Sequence, residues 1–360
     1  MKVRGHGRAA FTLVEILVVI LIITILMGIL IPVIVAIRKN AKNVRIALEL
    51  NNINTAMEGY KNKYKDYPPD FTDSRVVLRH IAKAFPRIAP LGVPPLGEPR
   101  PGIGNTWGLD PAEALVFWLG GLSDDPKHPF TGPGGPLKLV NTQNGPMYVA
   151  NTERTNALFE FTRKRLSYDR INIGPTAGQM GSRDELDLHA LPNPNANLAR
   201  FTTADQFPVY YQEGSPLPIV YFDSRSYVVK SNVVFYPAYK PLADTVGQYG
   251  VARPYKADEP NPDFNPNVDS PDMGIHFVNR RTFQIIAPGL DESYGFDLLL
   301  PFDSPAFGQT AVPVFKLFPS GKWVHPNPNS TSQVPKGYYE GHEDNITSFS
   351  EGRILGSSVE

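Results

Sequence analysis

A single carboxylate interrupts the most apolar stretch of this chain. Glu15 stands in the run FTLVEILVVILIITILMGILIPVIVAI, residues 11–37. A carboxylate is unfavourable by up to about 3 kcal/mol at mid-membrane on insertion scales, and by less near the end of a span. Such a group either reaches back to the interface or meets a cation within the apolar layer. A free α-amino group, created by cleavage just before Phe11, would supply that cation. On its own helix it sits about one turn away, and a neighbouring chain can present one too.

Other reactive constellations are sparse. There is no cysteine, which excludes thiolate zinc sites, iron–sulfur clusters, cysteine nucleophiles and disulfides. The histidines at 6, 80, 128, 189, 276, 325 and 342 show no paired metal-ligand spacing. Gly132-Pro133-Gly134-Gly135 lacks the Lys-Ser/Thr of a phosphate loop, and no Gly-x-Ser-x-Gly elbow occurs. Asp263, Asn265, Asn267 and Asp269 alternate as in a calcium loop. Val268 stands where glycine is needed, Gly274 where glutamate is needed, and Pro266 intrudes. That segment reads as a solvated turn. Lys+Arg and Asp+Glu are both 35, so no global field points to nucleic acid. Without the three basic residues of 1–10, 32 basic side chains face 35 acidic ones.

The element that must position Glu15 is a long helix. Ile16 to Ile37 are 22 residues without a charge, about 33 Å of helix against a bilayer core of about 30 Å. This exceeds the apolar core of a cleaved secretory signal, and Arg38-Lys39-Asn40-Ala41 follows it where a cleavage site would stand. The span is therefore expected to be retained. Basic residues flank both ends, so charge alone does not set its orientation. Beyond the span, Ile46, Leu50, Ile53, Met57, Tyr60 and Tyr64 recur at helical spacing. Glu49, Asn51, Asn52, Asn54, Glu58, Lys61 and Lys63 between them read as a solvated face. Pro68-Pro69 is the expected stop. The helix runs from Phe11 to about Tyr64, about 80 Å, with Gly28 and Pro32 weakening its apolar half.

Ala10-Phe11-Thr12-Leu13-Val14-Glu15 resembles the cleavage and methylation motif of type IV prepilins and type II secretion pseudopilins. In that family a membrane peptidase cuts before the Phe and N-methylates it. A Glu stands fifth after the cut and a Pro twenty-second; counted from Phe11, Glu15 is fifth and Pro32 is twenty-second. The family usually places Gly before the cut, where this chain has Ala10. Gly5 and Gly7 do not substitute, because cuts there put Glu15 out of register. The resemblance implies a cleavage site between Ala10 and Phe11, methylation of Phe11, and an assembly role for Glu15, Gly28 and Pro32. It implies an inner-membrane location, single-pass, with the leader cytoplasmic and the C-terminal domain periplasmic or extracellular. The implied partners are a prepilin peptidase/N-methyltransferase, other pilin or pseudopilin subunits, an inner-membrane assembly platform and membrane lipid, with no nucleic acid.

The organisation expected is a leader over 1–10, a membrane and assembly helix over 11–37, its amphipathic extension over 38–67, and a globular domain over 68–360. Within that domain, 111–121 reads as a short apolar helix stopped by Gly-Gly. Residues 137–150 read as a hairpin turning at Asn144-Gly145. Strands are expected at 208–212, 217–222, 227–236, 283–287, 312–318 and 323–324, with Asp223-Ser224-Arg225 as a turn and 240–271 as a long loop. The class is α+β: one long N-terminal helix on an antiparallel sheet with Pro- and Gly-rich loops.

Phe283–Gly295 also resembles the C-terminal strand and loop of major pseudopilins, and Glu343–Ser350 resembles their tail. That resemblance implies a calcium site at Asp291, Glu292 and Asp297; no other cofactor is expected. The function implied is structural, not enzymatic: a subunit of a pseudopilus or pilus-like filament. The alternative is a membrane-anchored extracytoplasmic binding domain or enzyme, which calls for a clustered acid–base pair in a cleft.

Overall fold

The computed structural model describes residues 12–89, 109–142, 145–167, 169–170, 180–181, 207–227, 229–230, 234–235, 237–239, 249–260, 275–295, 299–301, 311–313, 315–321, 323–324, 344–350 and 354–355. Its spine is helix α1, Leu13–Tyr64, 52 residues and about 80 Å long. The helix is unbroken through Gly28 and Pro32. It stops at Lys65, which takes a left-handed conformation (φ 64°) and donates its N–H to Lys61 O. The stop is thus a left-handed cap, three residues before the prolines expected to impose it.

The two halves of α1 live in different surroundings. No part of its most apolar 18-residue window is buried within the chain. In the second half, Ile46, Leu50, Ile53, Met57 and Tyr60 are buried, as their spacing requires, and Ala56 joins them. The polar face needs one correction. Glu49 is not solvated: its carboxylate is bound by Arg165 and Tyr210. An isolated glutamate between apolar stripes gives no hint of a cation more than a hundred positions away.

The sheet against α1 has three strands in the order 346–347, 283–287, 220–223, all antiparallel. Phe283–Ala287 is buried at every position. Tyr221, Ile285, Ala287 and Ile346 share one core with the α1 stripe. Helix α2, Ser74–Ala84, and helix α3, Ala114–Leu119, complete that core. The side chains of α3 are all buried. Trp118 packs among Tyr60, Phe71, His80 and Phe130 and donates Nε1 to Pro69 O at 2.9 Å. The other face of the sheet has its own core, including Val220, Phe222, Tyr255, Ile286 and Tyr294.

Several expectations hold and others shift. Leu137–Thr142 pairs with Gly145–Ala150, so Gly145 opens the second strand. The single strand expected at 227–236 is two short paired strands, Val229–Lys230 and Val234–Phe235. The strand expected at 312–318 divides into Ala311–Pro313 and Phe315–Phe318, which belong to different sheets. The segment 240–271 contains a strand, Lys256–Pro260, which pairs in parallel with Phe315–Phe318. The α+β class stands, with that parallel pair added to antiparallel ones. Helix α2 has no counterpart among the expected elements. Asp73 caps it, accepting from Arg75 N, and Val76, Val77, His80 and Ile81 face inward.

Candidate functional site

Thr12 is the N-cap of α1. Its Oγ1 accepts from Glu15 N at 3.2 Å. In return Glu15 Oε2 accepts from Thr12 N and Thr12 Oγ1, each at 2.8 Å. This is a reciprocal capping box, which satisfies orphan N–H groups of the first turn and sets a carboxylate at the positive end of the helix. Thr-x-x-Glu before an apolar run is itself a sequence signal, and it locates Thr12 as a positioning residue. Both bonds end on Oε2; Glu15 Oε1 accepts none among the described residues. Glu15 therefore has local partners without any cation, and keeps one oxygen for an outside donor.

Of the other assembly residues, Gly28 and Pro32 lie on the exposed half of α1. A Cβ at Gly28 would meet nothing, so the domain does not use that surface. Ala10 and Phe11, the cleavage and methylation positions, lie outside the described residues.

The basic belt after the span divides by partner. Lys39 Nζ lies 3.4 Å from Asp344 Oδ1, and Arg45 lies 3.5 Å from Glu213 Oε1. These contacts tie the emerging helix to the tail and to the loop 213–215. Sequence spacing carries no sign of either pairing. The Arg45 pair is exposed on both sides and contributes about 0–1 kcal/mol, whereas the Lys39 pair meets a largely buried carboxylate.

Loop 288–295 is held by that tail. Asp344 Oδ2 accepts from Leu290 N at 2.7 Å and Asp291 N at 3.1 Å. Gly289 has φ +76°, and a Cβ there would lie 2.1 Å from Asp344 O. Asp291 Oδ1 accepts from Ser293 N. Asp291 and Glu292 are both exposed, while Asp297 lies outside the described residues. Among the described residues no group of three acidic or imidazole side chains is placed to hold a metal. Asp291 and Glu292 offer hard oxygen donors, which is the chemistry calcium takes.

A second charged cluster is structural. Asp70 and Asp223 are buried where the chain leaves α1. Asp70 Oδ2 accepts from Asp223 N at 3.0 Å and from Ser226 Oγ. Arg225 bonds Asp223 at 2.7 Å, Asp66 at 2.8 Å and Tyr67 O at 2.6 Å. Burial pushes the Asp70 and Asp223 carboxyls up, against the pull of their hydrogen bonds and of Arg225. The turn expected at 223–225 is present as Ser224–Ser226, and it also locks the segment 66–73. These carboxylates have no exposed side from which to meet a substrate.

The family model of the prokaryotic N-terminal methylation motif matches residues 5–31. No curated protein and no solved structure matches the chain. The matched segment contains Thr12, Glu15 and the first part of the unburied half of α1, up to Ile31. The chain thus carries the prokaryotic N-terminal methylation motif, the prepilin-type signal of type IV pilins and pseudopilins.

Proposed function

We propose that this protein is a structural subunit of a type IV pilus-like filament or type II secretion pseudopilus. A prepilin peptidase would remove residues 1–10 and methylate Phe11, and lateral packing of α1 helices would build the filament. One observation carries the reading: the methylation motif at residues 5–31 leads into a helix whose apolar half is unburied and whose second half is the core of a folded domain. The 22-residue uncharged span, followed by Arg38-Lys39-Asn40-Ala41, separates it from a cleaved signal, whose apolar core is shorter and ends at a small-residue cleavage site. The unburied apolar half also separates it from a soluble core helix, which would bury that half.

In this reading the domain stands on the outer side of the inner membrane. The free Oε1 of Glu15 receives the Phe11 amine of a neighbouring subunit. The partners are the peptidase, like or related subunits and an assembly platform. Calcium on Asp291, Glu292 and Asp297 belongs to the same reading.

Glu15→Gln tests it, because it keeps the shape and removes the charge. Membrane insertion should be unchanged and subunit cross-linking sharply reduced. Glu15→Asp should fall between. Undiminished cross-linking in Glu15→Gln would leave Glu15 as an interfacial side chain and the protein as a simple anchored domain.

A further inference from the structure

The turns that follow the uncharged span sort their residues by face. Arg38, Lys39, Lys42 and Arg45 are the charged side chains of 38–48. Their spacing puts them on the side of α1 that carries Ile46, Leu50 and Ile53. That is the side the domain covers. Ile37, Ala41, Val44 and Leu48 form the opposite stripe, which bears no charge. Ile37, Val44 and Leu48 are 61%, 56% and 58% exposed. A helix standing in water beside its domain shows the reverse arrangement, with charge outward. The apolar outer stripe therefore keeps 38–48 at the level of the membrane interface, with its cations turned under the domain.

Depth gives the same answer. Headgroups add about 5–8 Å to each side of a bilayer's apolar core. Arg38 directly follows Ile37, and Lys42 stands one turn further on. They lie about 2 and 8 Å past the span along the helix axis, within the phosphate layer.

Two of these cations already have partners. Lys39 meets Asp344 at 3.4 Å, and Arg45 meets Glu213 at 3.5 Å. Arg38 and Lys42 are exposed and make no ion pair among the described residues. In the proposed orientation this flank crosses the membrane, and basic residues are normally scarce on that side. Unpaired cations there call for an anion, and lipid phosphate is the anion at that depth.

We infer that Arg38 and Lys42 hold the headgroup of an anionic phospholipid beneath the domain. The fork of Arg38 suits two phosphate oxygens, and Lys42 adds a point charge. An anionic headgroup is favoured over a zwitterionic one, whose own ammonium offsets its phosphate. The inference rests on the reading of α1 as a membrane span and adds a lipid site to it.

The test uses the full-length chain in neutral detergent, with lipid added and bound adducts counted by native mass spectrometry. Phosphatidylglycerol is the anionic probe and phosphatidylcholine the zwitterionic one. The parent should bind phosphatidylglycerol more tightly. Arg38→Gln with Lys42→Gln should weaken that binding about fivefold for each cation removed and leave phosphatidylcholine binding unchanged. Arg38→Lys with Lys42→Arg keeps both charges and should bind within a few-fold of the parent. The basic residues of 1–10 are present in every variant, so the difference reads 38 and 42 alone. Unchanged Tm in each variant separates lost contact from lost fold.

Equal affinities for the two lipids in the parent overturn the inference, as does undiminished phosphatidylglycerol binding in the Gln variant. Inorganic phosphate that competes as strongly as the lipid would make this a free-anion site, and the lipid claim falls. The claim also falls if the Gln variant binds lipid normally but loses cross-linking between subunits, since the cations would then face a neighbour's carboxylates. Insertion into phosphatidylcholine vesicles, measured in parallel, separates the two readings. A chain that inserts but shows no lipid preference keeps the membrane reading and loses this site. A chain that does not insert removes both.

Discussion

Arg165 closes on Glu49 through two hydrogen bonds of 2.6 and 2.7 Å, across 116 positions of sequence. Tyr210 Oη donates to the same carboxylate at 2.9 Å, and the guanidinium lies 4.3 Å from the Tyr210 ring centroid. The two charged side chains are only 19% and 16% exposed. Breaking a largely buried pair leaves one charge uncompensated. Glu49→Gln is therefore expected to destabilise the domain by about 2–3 kcal/mol, read as a lower Tm of the full chain in detergent. Glu49→Met combined with Arg165→Met should recover most of the loss. An unchanged Tm in Glu49→Gln would mean that the clamp adds nothing.

His80 gives the acid limb of stability. It is 1% exposed, with Nε2 2.9 Å from Tyr60 Oη. Burial, with Arg225 nearby, pushes its imidazole down to about 3 from 6.5. The unfolded chain takes up the proton below about pH 6.5 and the folded chain does not. Stability from this group is complete above pH 6.5 and is lost as the pH falls toward 3. Denaturant titrations should show that loss in the parent. His80→Leu with Tyr60→Phe should flatten it. An equal slope in the double variant would assign the acid loss to other groups.

Two glycines separate backbone strain from collision. Gly289 and Gly214 have φ of +76° and +77°. A Cβ at Gly214 meets nothing, whereas at Gly289 it lies 2.1 Å from the Asp344 carbonyl oxygen. Gly214→Ala should cost about 1 kcal/mol, the left-handed penalty alone. Gly289→Ala should cost clearly more, because the backbone of the tail must move. Equal Tm losses would mean that the tail does not seat on this loop.

Calcium should raise the Tm by ligand linkage if the 290–297 loop holds it. Asp291→Ala should abolish the rise, and its calcium-free Tm should fall only slightly, by the loss of the exposed bond from Ser293 N. A melting curve indifferent to calcium and to chelator leaves the loop as a solvated turn.

The parts of the fold legible in the sequence are those with a period or a register. The 3.6-residue stripe from Ile46 to Tyr60 gave the buried face of α1, and the five consecutive apolar or amide positions of 283–287 gave the central strand. The Ala10–Glu15 segment located the motif matched at residues 5–31, and Pro32 lies one position beyond that match. What stayed hidden depends on partners distant in sequence. Glu49 looks solvated until Arg165 is placed beside it, and Lys39 looks like a membrane-flanking cation until Asp344 meets it. Helix α2 is absent from the expected elements although Asp73 and the Val76, Val77, His80, Ile81 pattern announce it. His80 makes its buried face look polar, and it becomes core only because Tyr60 bonds it and Trp118 packs on it.

The mature N-terminus decides whether the proposed subunit is processed as its methylation motif implies. Intact-mass analysis, with fragmentation of the first residues, should be made on protein from a host containing a prepilin peptidase. The expected product has lost Met1–Ala10 and begins at N-methyl-Phe11, despite Ala10 before the cut. A chain that keeps Met1–Ala10 in that host, or one cut after Ile37, would contradict it.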